Sequence, residues 1–302
     1  MKAAVFGNLT VDEIEGNGVV RFAPGGSALY VSATSAYFGI DVSVVANIGP
    51  DYPRDTLAWL KNKGIDVSAV RSISVPSTRF RLTYRNASRK LRILHPGSGL
   101  GVDRIEGHWQ AAHLGPVFGE VKHALARLVR RHCRFMSLDI QGMIRAPRRD
   151  GSVRLVSRPL GPTLRMCDLV KASREEARVL TSKKDPLDQA EALLVMGPKF
   201  AIVTLGREGT ILATGKGGRF RIPSYPEDEA VDPTGAGDGF VGSWLATFLF
   251  TRDPVWAGSV GSAFASMMLR RRGLAKFRLS RLELFRRSAW VYGRVRPCKS
   301  LS

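Results

Sequence analysis

Val231–Phe250 reads VDPTGAGDGFVGSWLATFLF, a glycine-rich turn that runs directly into an apolar, helix-compatible segment. Gly235, Ala236 and Gly237 leave the backbone accessible to a ligand, and the helix that follows begins with unpaired N–H groups at its positive dipole end. Such a terminus favours an anion, most naturally phosphate. Asp238 lies in the first turn of this helix, where its carboxylate is available as a hydrogen-bond or proton acceptor.

A phosphate site beside a carboxylate base is the arrangement that phosphoryl transfer to a hydroxyl requires. The alternative interpretation is structural: the turn caps a core helix, and Asp238 is an ordinary acidic residue of the first helical turn. The turn alone is compatible with both, so other parts of the chain have to distinguish them.

Composition is that of an ordinary globular protein. The chain has 302 residues, 44% of them hydrophobic, and a mean hydropathy of -0.07, so it can bury a large core. The N-terminus lacks the pattern of a signal peptide, and the apolar segment Gly239–Phe250 is too short to span a bilayer. Three widely spaced cysteines, Cys133, Cys167 and Cys298, fit neither a disulfide framework nor a zinc site. We therefore expect a cytoplasmic protein without a membrane partner.

The net charge of +20 raises the question of a nucleic-acid partner. The 34 arginines and 12 lysines are spread along the sequence, with short clusters at 130–134, 145–149 and 270–272. The chain has neither an RNA-binding aromatic signature nor zinc-finger spacing. A solvated basic surface is favoured over a specific nucleic-acid function, although weak binding to polyanions is expected in either case.

Apolar strands alternate with helical segments along most of the chain, which predicts a mostly parallel α/β sheet flanked by helices. The predicted strands are Lys2–Phe6, Val42–Ile48, Ala112–Leu114, Phe135–Leu138, Asp168–Lys171 and Lys199–Leu205. The predicted helices are Ala28–Gly39, Arg54–Lys63, Val121–His132, one that opens at Ser173 with capping-box spacing to Glu176, and Val255–Arg272, which starts after Asp253 and stops at Gly273.

Two stretches interrupt this alternation. Ser72–Leu94 has the alternating pattern of an antiparallel hairpin, and Glu13–Phe22 contains the turn signal EGNG. No linker separates them from the rest. We therefore predict a single domain over residues 1–302, with a small β lid formed by inserted segments at about 11–23 and 73–95.

Further candidate ligand groups lie near the N-terminus. Asp12 follows the first strand, at the position where an α/β sheet presents ligand-binding groups. Gly25 and Gly26 precede a helix of small residues and would let a substrate approach the backbone, although a plain strand-to-helix turn explains them equally well. The five histidines are isolated and lack metal-ligand spacing, so none is assigned a catalytic role.

With these segments in order, the chain resembles the ribokinase-like, or PfkB, family of sugar and nucleoside kinases over nearly its whole length. VDPTGAGDGFVGSWLA is similar to that family's C-terminal signature. APGGSALYVSATSAYFG and VVANIGPDYPRDTLAWLKNKGIDVS resemble its N-terminal region. The segments SLDIQGMIR, LVKASREEA and RRRGLAKF are most similar to the myo-inositol kinase branch.

The resemblance implies roles for individual residues. Asp238 matches the catalytic base, and Gly235, Ala236 and Gly237 match the anion hole for the transferring phosphoryl group. The remaining matches concern ligands: Asp12, Gly25 and Gly26 for the acceptor hydroxyls, Thr204, Gly206 and Gly209 for the nucleotide phosphates, and Glu176, in an NxxE-like motif, for magnesium.

Three positions bear on the substrate. Ser173 replaces the asparagine of the NxxE motif, and Tyr30 replaces an asparagine that commonly follows the paired glycines, which implies an acceptor pocket unlike that of ribokinase. Arg145 is a candidate substrate or phosphate contact, or alternatively a surface arginine of a basic loop.

We therefore predict a kinase that uses ATP and Mg²⁺ to phosphorylate a hydroxyl of a small polyol or sugar, with myo-inositol the leading acceptor. The alternatives are a ribose, nucleoside (cytidine or adenosine) or sugar-phosphate kinase of the same fold, and a noncatalytic polyanion-binding protein. The exposed hairpin of the lid makes a homodimer through the lid a further expectation.

Overall fold

The structure is a computed structural model that describes residues 1–298 except 17–18, 86–87, 102–104, 106, 229–230 and 271–279. Its strands are β1 (Lys2–Phe6), β2 (Thr10–Gly16), β3 (Val19–Gly25), β4 (Asp41–Ile48), β5 (Val70–Ser72), β6 (Thr78–Arg85), β7 (Ser88–His95), β8 (Trp109–Leu114), β9 (Cys133–Asp139), β10 (Arg145–Pro147), β11 (Val153–Leu155), β12 (Leu169–Ser173), β13 (Phe200–Thr204), β14 (Thr210–Thr214), β15 (Arg219–Ile222) and β16 (Arg296–Pro297). Its helices are α1 (Ser27–Tyr37), α2 (Arg54–Asn62), α3 (His123–Arg131), α4 (Gln141–Ile144), α5 (Gly161–Leu164), α6 (Arg174–Thr181), α7 (Pro186–Val195), α8 (Ala236–Thr251), α9 (Pro254–Leu269) and α10 (Arg281–Tyr292).

The main sheet has the strand order β16-β15-β14-β13-β12-β9-β8-β1-β4-β5. The strands from β5 to β13 in this order run parallel to one another, and β14, β15 and β16 add an antiparallel edge. The predicted α/β architecture with a mostly parallel sheet is therefore confirmed. Carboxyl ends of parallel strands share one edge of a sheet, and ligand-binding residues are expected there.

Helices cover both faces of this sheet because its central strands are apolar on both sides. Alternation along β1 illustrates the arrangement. Val5 packs in the core that contains Trp244 of α8 and Phe264 of α9, whereas Phe6 packs on the other face with Leu138 and its neighbours. The apolar segment 239–250 is thus a buried helix, as predicted. No helix in the described part of the chain is long and apolar enough to cross a membrane.

A second, four-stranded sheet has the order β3-β2-β6-β7, and it is named the lid after the predicted segments, its role as a lid remaining a prediction. It covers residues 10–25 and 78–95, close to the predicted segments, and β2 pairs with β6 in parallel. The predicted hairpin began too early, at Ser72. Val70–Ser72 is instead a strand of the main sheet, and the N–H of Ile73 still donates to the carbonyl of Ile48 in β4 at 2.9 Å. The predicted turn EGNG falls partly outside the described residues, and so does the centre of the predicted hairpin, at 86–87.

Helix starts follow the predicted capping chemistry. The Ser173 side chain accepts from the Glu176 N–H, and the Glu176 carboxylate accepts from the Ser173 N–H, so the capping box is present. Asp253 caps α9, and Pro254 occupies its first turn. This helix ends at Leu269 rather than at residue 272, and the predicted stop at Gly273 lies outside the described residues.

Candidate active site

The glycine-rich turn forms the start of α8. Gly235 is the N-cap residue with φ of 78°, a conformation that favours glycine. A Cβ atom at this position would lie 2.3 Å from Cδ1 of the Tyr30 ring, so no larger residue fits without a shift. The helix begins at Ala236, whose N–H donates to the Pro233 carbonyl at 3.2 Å, and Gly235 and Asp238 at this end of the helix line a pocket. Tyr30 is 5% exposed and packs against this turn.

Asp238 lies in the first turn of α8 and lines the same pocket. Burial, followed by the nearby charge of Asp139, raises the pKa of Asp238 to about 6, while Lys171, Ser27 and Arg145 act in the opposite direction. The carboxylate is therefore mostly ionised at neutral pH but more basic than an exposed aspartate. These are the properties expected of a general base for a hydroxyl proton.

A buried ion pair lies beside the turn. Nζ of Lys171, in β12, is 2.8 Å from Oδ2 of Asp139 at the end of β9, and the two side chains are 9% and 0% exposed. Burial lowers the pKa of Lys171, but the carboxylates of Asp139, Glu176 and Asp238 outweigh it, so the net shift is upward and the ammonium stays charged.

The Lys171 ammonium lies close to the glycine-rich turn, where the sequence predicts an anion site. A Cβ atom built on Gly237 would lie 3.3 Å from Lys171 Nζ, which places the charge next to the start of α8. Sequence reasoning missed Lys171. A signal was available, since a single lysine interrupts an otherwise apolar strand in LVKAS, and such a residue needs a buried partner.

The paired glycines and Asp12 form the opposite side of the site. Thr10 Oγ1 donates to Asp12 Oδ1 at 2.8 Å, and a Cβ atom on Gly25 would lie 2.3 Å from Asp12 Oδ2. Gly26 has φ of 95°, and a Cβ atom there would lie 2.5 Å from the carbonyl oxygen of Asn8. Both glycines therefore permit close approaches within the protein itself, and their contact with an acceptor stays a prediction.

Arg145 lies at the start of β10 and lines the pocket, so it is not simply a surface residue of a basic loop. Its guanidinium donates to the Val117 carbonyl at 3.0 Å and to Gln141 Oε1 at 2.7 Å. It also lies 5.8 Å from the centre of the Phe80 ring. These contacts orient the positive charge over the pocket, where it could contact a substrate or phosphate.

The pocket between the main sheet and the lid is lined by both polar and apolar side chains. Its volume is about 70 Å³. The lid contributes the apolar side chains of Phe80, Leu82 and Leu91. The polar groups on the pocket include Thr10, Asp12, Ser27, Gln141, Arg145 and Asp238.

The predicted donor loop lies at the same edge of the sheet. Thr204 ends β13 beside Ser173 in β12, and Gly206 has φ of 60°. Gly209 has φ of 95°, and a Cβ atom there would lie 2.2 Å from the carbonyl oxygen of Ile222, so packing between strands already explains this glycine. Contact of these residues with a nucleotide stays a prediction.

Glu176, the predicted magnesium-linked residue, is 8% exposed and is tied to the N-terminus of α6 by the capping box. Its carboxylate acts on Lys171 electrostatically, which places it near the anion site. Groups of three or more potential metal ligands among His, Cys, Asp and Glu do not occur within the described ranges. Mg²⁺ commonly binds through one or two carboxylates together with substrate phosphates, and a single carboxylate such as that of Glu176 is compatible with a site of that kind.

Comparison with known proteins gives consistent results. Residues 8–279 match the family described as pfkB family carbohydrate kinase. A cytidine kinase of Thermococcus kodakarensis is 27% identical over 256 residues, which cover 81% of this chain and 87% of that protein. An inositol 3-kinase of Oryza sativa subsp. japonica is 28% identical over 283 residues, which cover 87% and 67%.

A solved structure has a TM-score of 0.78 at 23% identity and covers 96% of this chain and 99% of its own. That work concerns the conversion of a pyrophosphate-dependent myo-inositol-1 kinase into a myo-inositol-3 kinase by replacing an asparagine and a serine with leucines. At this level of identity the likeness shows a shared fold.

Proposed function

Because the chain belongs to the pfkB family of carbohydrate kinases and is therefore a phosphotransferase, we propose that it transfers the γ-phosphoryl group of ATP to one hydroxyl of a small cyclic polyol, with myo-inositol as the leading acceptor. The observation that carries the proposal is the position of Asp238, at the N-terminus of α8 and in one pocket with Asp12. Family membership also sets aside the alternative of a noncatalytic polyanion-binding protein.

The residues of the site suit an in-line transfer. Asp238 accepts the proton of the acceptor hydroxyl while the acceptor oxygen forms its bond to the γ-phosphorus and the bond to the leaving ADP oxygen breaks. The N–H groups at the start of α8 and the Lys171 ammonium then lie where negative charge builds up on the phosphoryl oxygens. Mg²⁺, held by the donor phosphates with Glu176 as a neighbouring carboxylate, would offset the charge of the phosphates.

The lining of the pocket supports a cyclic polyol as acceptor, because apolar side chains of β6 and β7 meet several polar groups in it. The chair form of a cyclohexane polyol presents C–H groups on its faces, and these can pack on Phe80, Leu82 and Leu91 while hydroxyls at the edge reach Asp12 and Asp238.

The relatives also bear on which hydroxyl reacts. The rice relative is named an inositol 3-kinase, and the related solved kinase became a 3-kinase on gaining two leucines. In this chain Leu82 and Leu91 are paired neighbours on the adjacent strands β6 and β7, and both line the pocket. We infer phosphorylation at the 3-position of myo-inositol, which ³¹P and ¹H NMR of the product would identify.

The decisive experiment is an acceptor screen with purified protein. Inositol, ribose, fructose 6-phosphate, cytidine and adenosine are each tested with ATP and Mg²⁺ by coupled ADP release, and in parallel with pyrophosphate by phosphate release. We expect inositol with ATP to give the highest kcat/KM. A higher value for cytidine, favoured by the similarity to the cytidine kinase, would establish the nucleoside alternative, and turnover with pyrophosphate alone would overturn the donor assignment.

We also propose a homodimer through the lid. β3 is an edge strand of the lid sheet, and its side chains Val19, Val20 and Phe22 are 65%, 51% and 65% exposed. An exposed apolar edge strand favours pairing with a second chain. Light scattering of the wild type and of Phe22→Lys tests this, with a dimer expected for the former and a monomer for the latter. A monomeric wild type would contradict the proposal.

A further inference from the structure

A buried histidine lies near the Lys171–Asp139 pair, and both charges act on it. His113, in β8, is fully buried, and its Nδ1 lies 2.9 Å from Ser137 Oγ. The Ser137 hydroxyl itself donates to the carbonyl of Ala112 at 3.3 Å. Because a hydroxyl has one proton, Nδ1 of His113 must be the donor in its contact with Ser137. Nε2 is then an unprotonated acceptor.

This acceptor and a second buried polar atom lie close to each other. His113 Nε2 has no hydrogen-bond partner among the residues that the structure describes, and Ser27 Oγ makes no hydrogen bond of full geometry there, although it lies close enough to Asp238 to lower the pKa of that carboxyl. A Cβ atom built on Gly115 would lie 3.1 Å from His113 Nε2 and 2.5 Å from Ser27 Oγ. The two atoms therefore lie on either side of one point, and the short serine side chain has other staggered positions open to it. Buried polar atoms without partners are rare, so such a pair calls for a functional explanation.

Ser27 also faces the base. It is the first residue of α1, lines the pocket with Asp238, and its hydroxyl lowers the pKa of Asp238. The Ser27 hydroxyl, as a donor, stabilises the Asp238 carboxylate and therefore disfavours the protonated Asp238 that the reaction produces. This cost is removed if the hydroxyl can donate to another acceptor instead. His113 Nε2 is such an acceptor.

We propose that Ser27 and His113 are positioning residues that adapt the surroundings of Asp238 to its change of protonation. Before transfer, the Ser27 hydroxyl donates to the Asp238 carboxylate. Once Asp238 has taken the acceptor's proton, Ser27 turns to donate to His113 Nε2 and accepts from the new carboxylic acid. Ser27 and His113 exchange hydrogen bonds and neither takes up a proton, because the acceptor's proton remains on Asp238. The inference rests on the proposed kinase function.

The surrounding charges allow His113 to remain neutral. Asp139 and Lys171 face it from β9 and β12, and they also act on Asp238, together with Arg145 from β10. Burial, with Asp139 and Lys171 acting in opposite directions, lowers the pKa of His113 to about 4. The ring is therefore an acceptor for Ser27 over the working pH range, rather than a second site for the proton.

The test is a double-mutant cycle with Ser27→Ala and His113→Leu, measured as kcat and as the pH dependence of kcat/KM. Each single variant should lower kcat about tenfold, the rate equivalent of one net hydrogen bond. Because His113 acts through Ser27, the double variant should be no slower than Ser27→Ala. Ser27→Ala should also move the acid limb of kcat/KM to higher pH, since the donor to the Asp238 carboxylate is lost.

His113→Gln, which keeps an acceptor, should recover most of the loss seen with His113→Leu. Thermal unfolding shows whether His113→Leu folds. If it does not, the kcat of His113→Gln and the acid limb of the kcat/KM profile of Ser27→Ala still test the proposal. The proposal would be overturned if the two single losses of kcat multiplied in the double variant, or if the acid limb of kcat/KM did not move in Ser27→Ala. A wild type that phosphorylates none of the acceptors would instead refute the proposed function, so the two failures are distinguishable.

Discussion

Replacing Asp238 by asparagine should make the protein more stable while abolishing phosphoryl transfer, because the fold holds this carboxylate in surroundings that disfavour its charge. The pKa of Asp238 rises from an ordinary value of 3.8 to about 6, chiefly through burial. A folded-state pKa above the unfolded one means that the native state binds the proton more tightly. The ionised carboxylate therefore destabilises the fold increasingly as the pH rises from the unfolded to the folded pKa.

The shift of about two units corresponds to about 3 kcal/mol at pH 8, where the carboxylate is charged in both states. At pH 5 the native state is already mostly protonated and the difference falls to about half. For a chain of this length, 3 kcal/mol raises Tm by about 5 °C. Asparagine has the same shape and no charge, so Asp238→Asn should show this gain.

Thermal and urea unfolding of the wild type and Asp238→Asn at pH 8 and pH 5, together with acceptor-dependent ADP release, measure both effects. Asp139→Asn is the matched control. It leaves the buried Lys171 ammonium without its partner at 2.8 Å, so it should destabilise the fold, by about 3–5 kcal/mol. A gain in Asp238→Asn that is equal at both pH values, or absent at pH 8, would refute the electrostatic reasoning, and near wild-type transfer would refute the assignment of the base.

Other expectations follow from the same geometry. Lys171→Met should lower kcat at least 100-fold with little change in acceptor KM, since its charge lies where the phosphoryl group is transferred; a changed KM with normal kcat would argue against this. Gly25→Ala should raise acceptor KM about tenfold because the new methyl group displaces Asp12, and steady-state kinetics with a Tm control would show it. Ser173→Ala should lose about 1 kcal/mol of stability, measured by urea unfolding, through loss of the capping box. In the wild type, kcat/KM should fall below about pH 6 as Asp238 becomes protonated, whereas a flat profile down to pH 4.5 would contradict its role as base.

Local chemistry made several elements predictable from the sequence. The turn before α8, the capping box at Ser173 and the start of α9 at Asp253 each depend on residues within a few positions of one another, and each was located correctly. The alternation of apolar strands and helices likewise identified the main sheet. Boundaries were less accurate. The hairpin was extended to Ser72 because the alternating pattern continues there, although that residue pairs with β4.

The electrostatic part of the site depends on contacts that no local pattern contains. Lys171 and Asp139 lie 32 positions apart and meet only because β12 is next to β9 in a fixed register. The packing of Tyr30 on Gly235 joins opposite ends of the chain. Relations of this kind follow from strand order and from how helices dock, and a single sequence leaves both undetermined.

The lid strand β2 contains Asp12, whereas Asp238 belongs to a helix packed on the main sheet. An acceptor that hydrogen-bonds to both residues therefore connects the two sheets. Any rotation of the lid away from the main sheet carries Asp12 with it and breaks that connection. The free energy of holding the lid closed is then part of the measured affinity for the acceptor, and ligands that engage only one of the two carboxylates should bind while leaving the lid free to open.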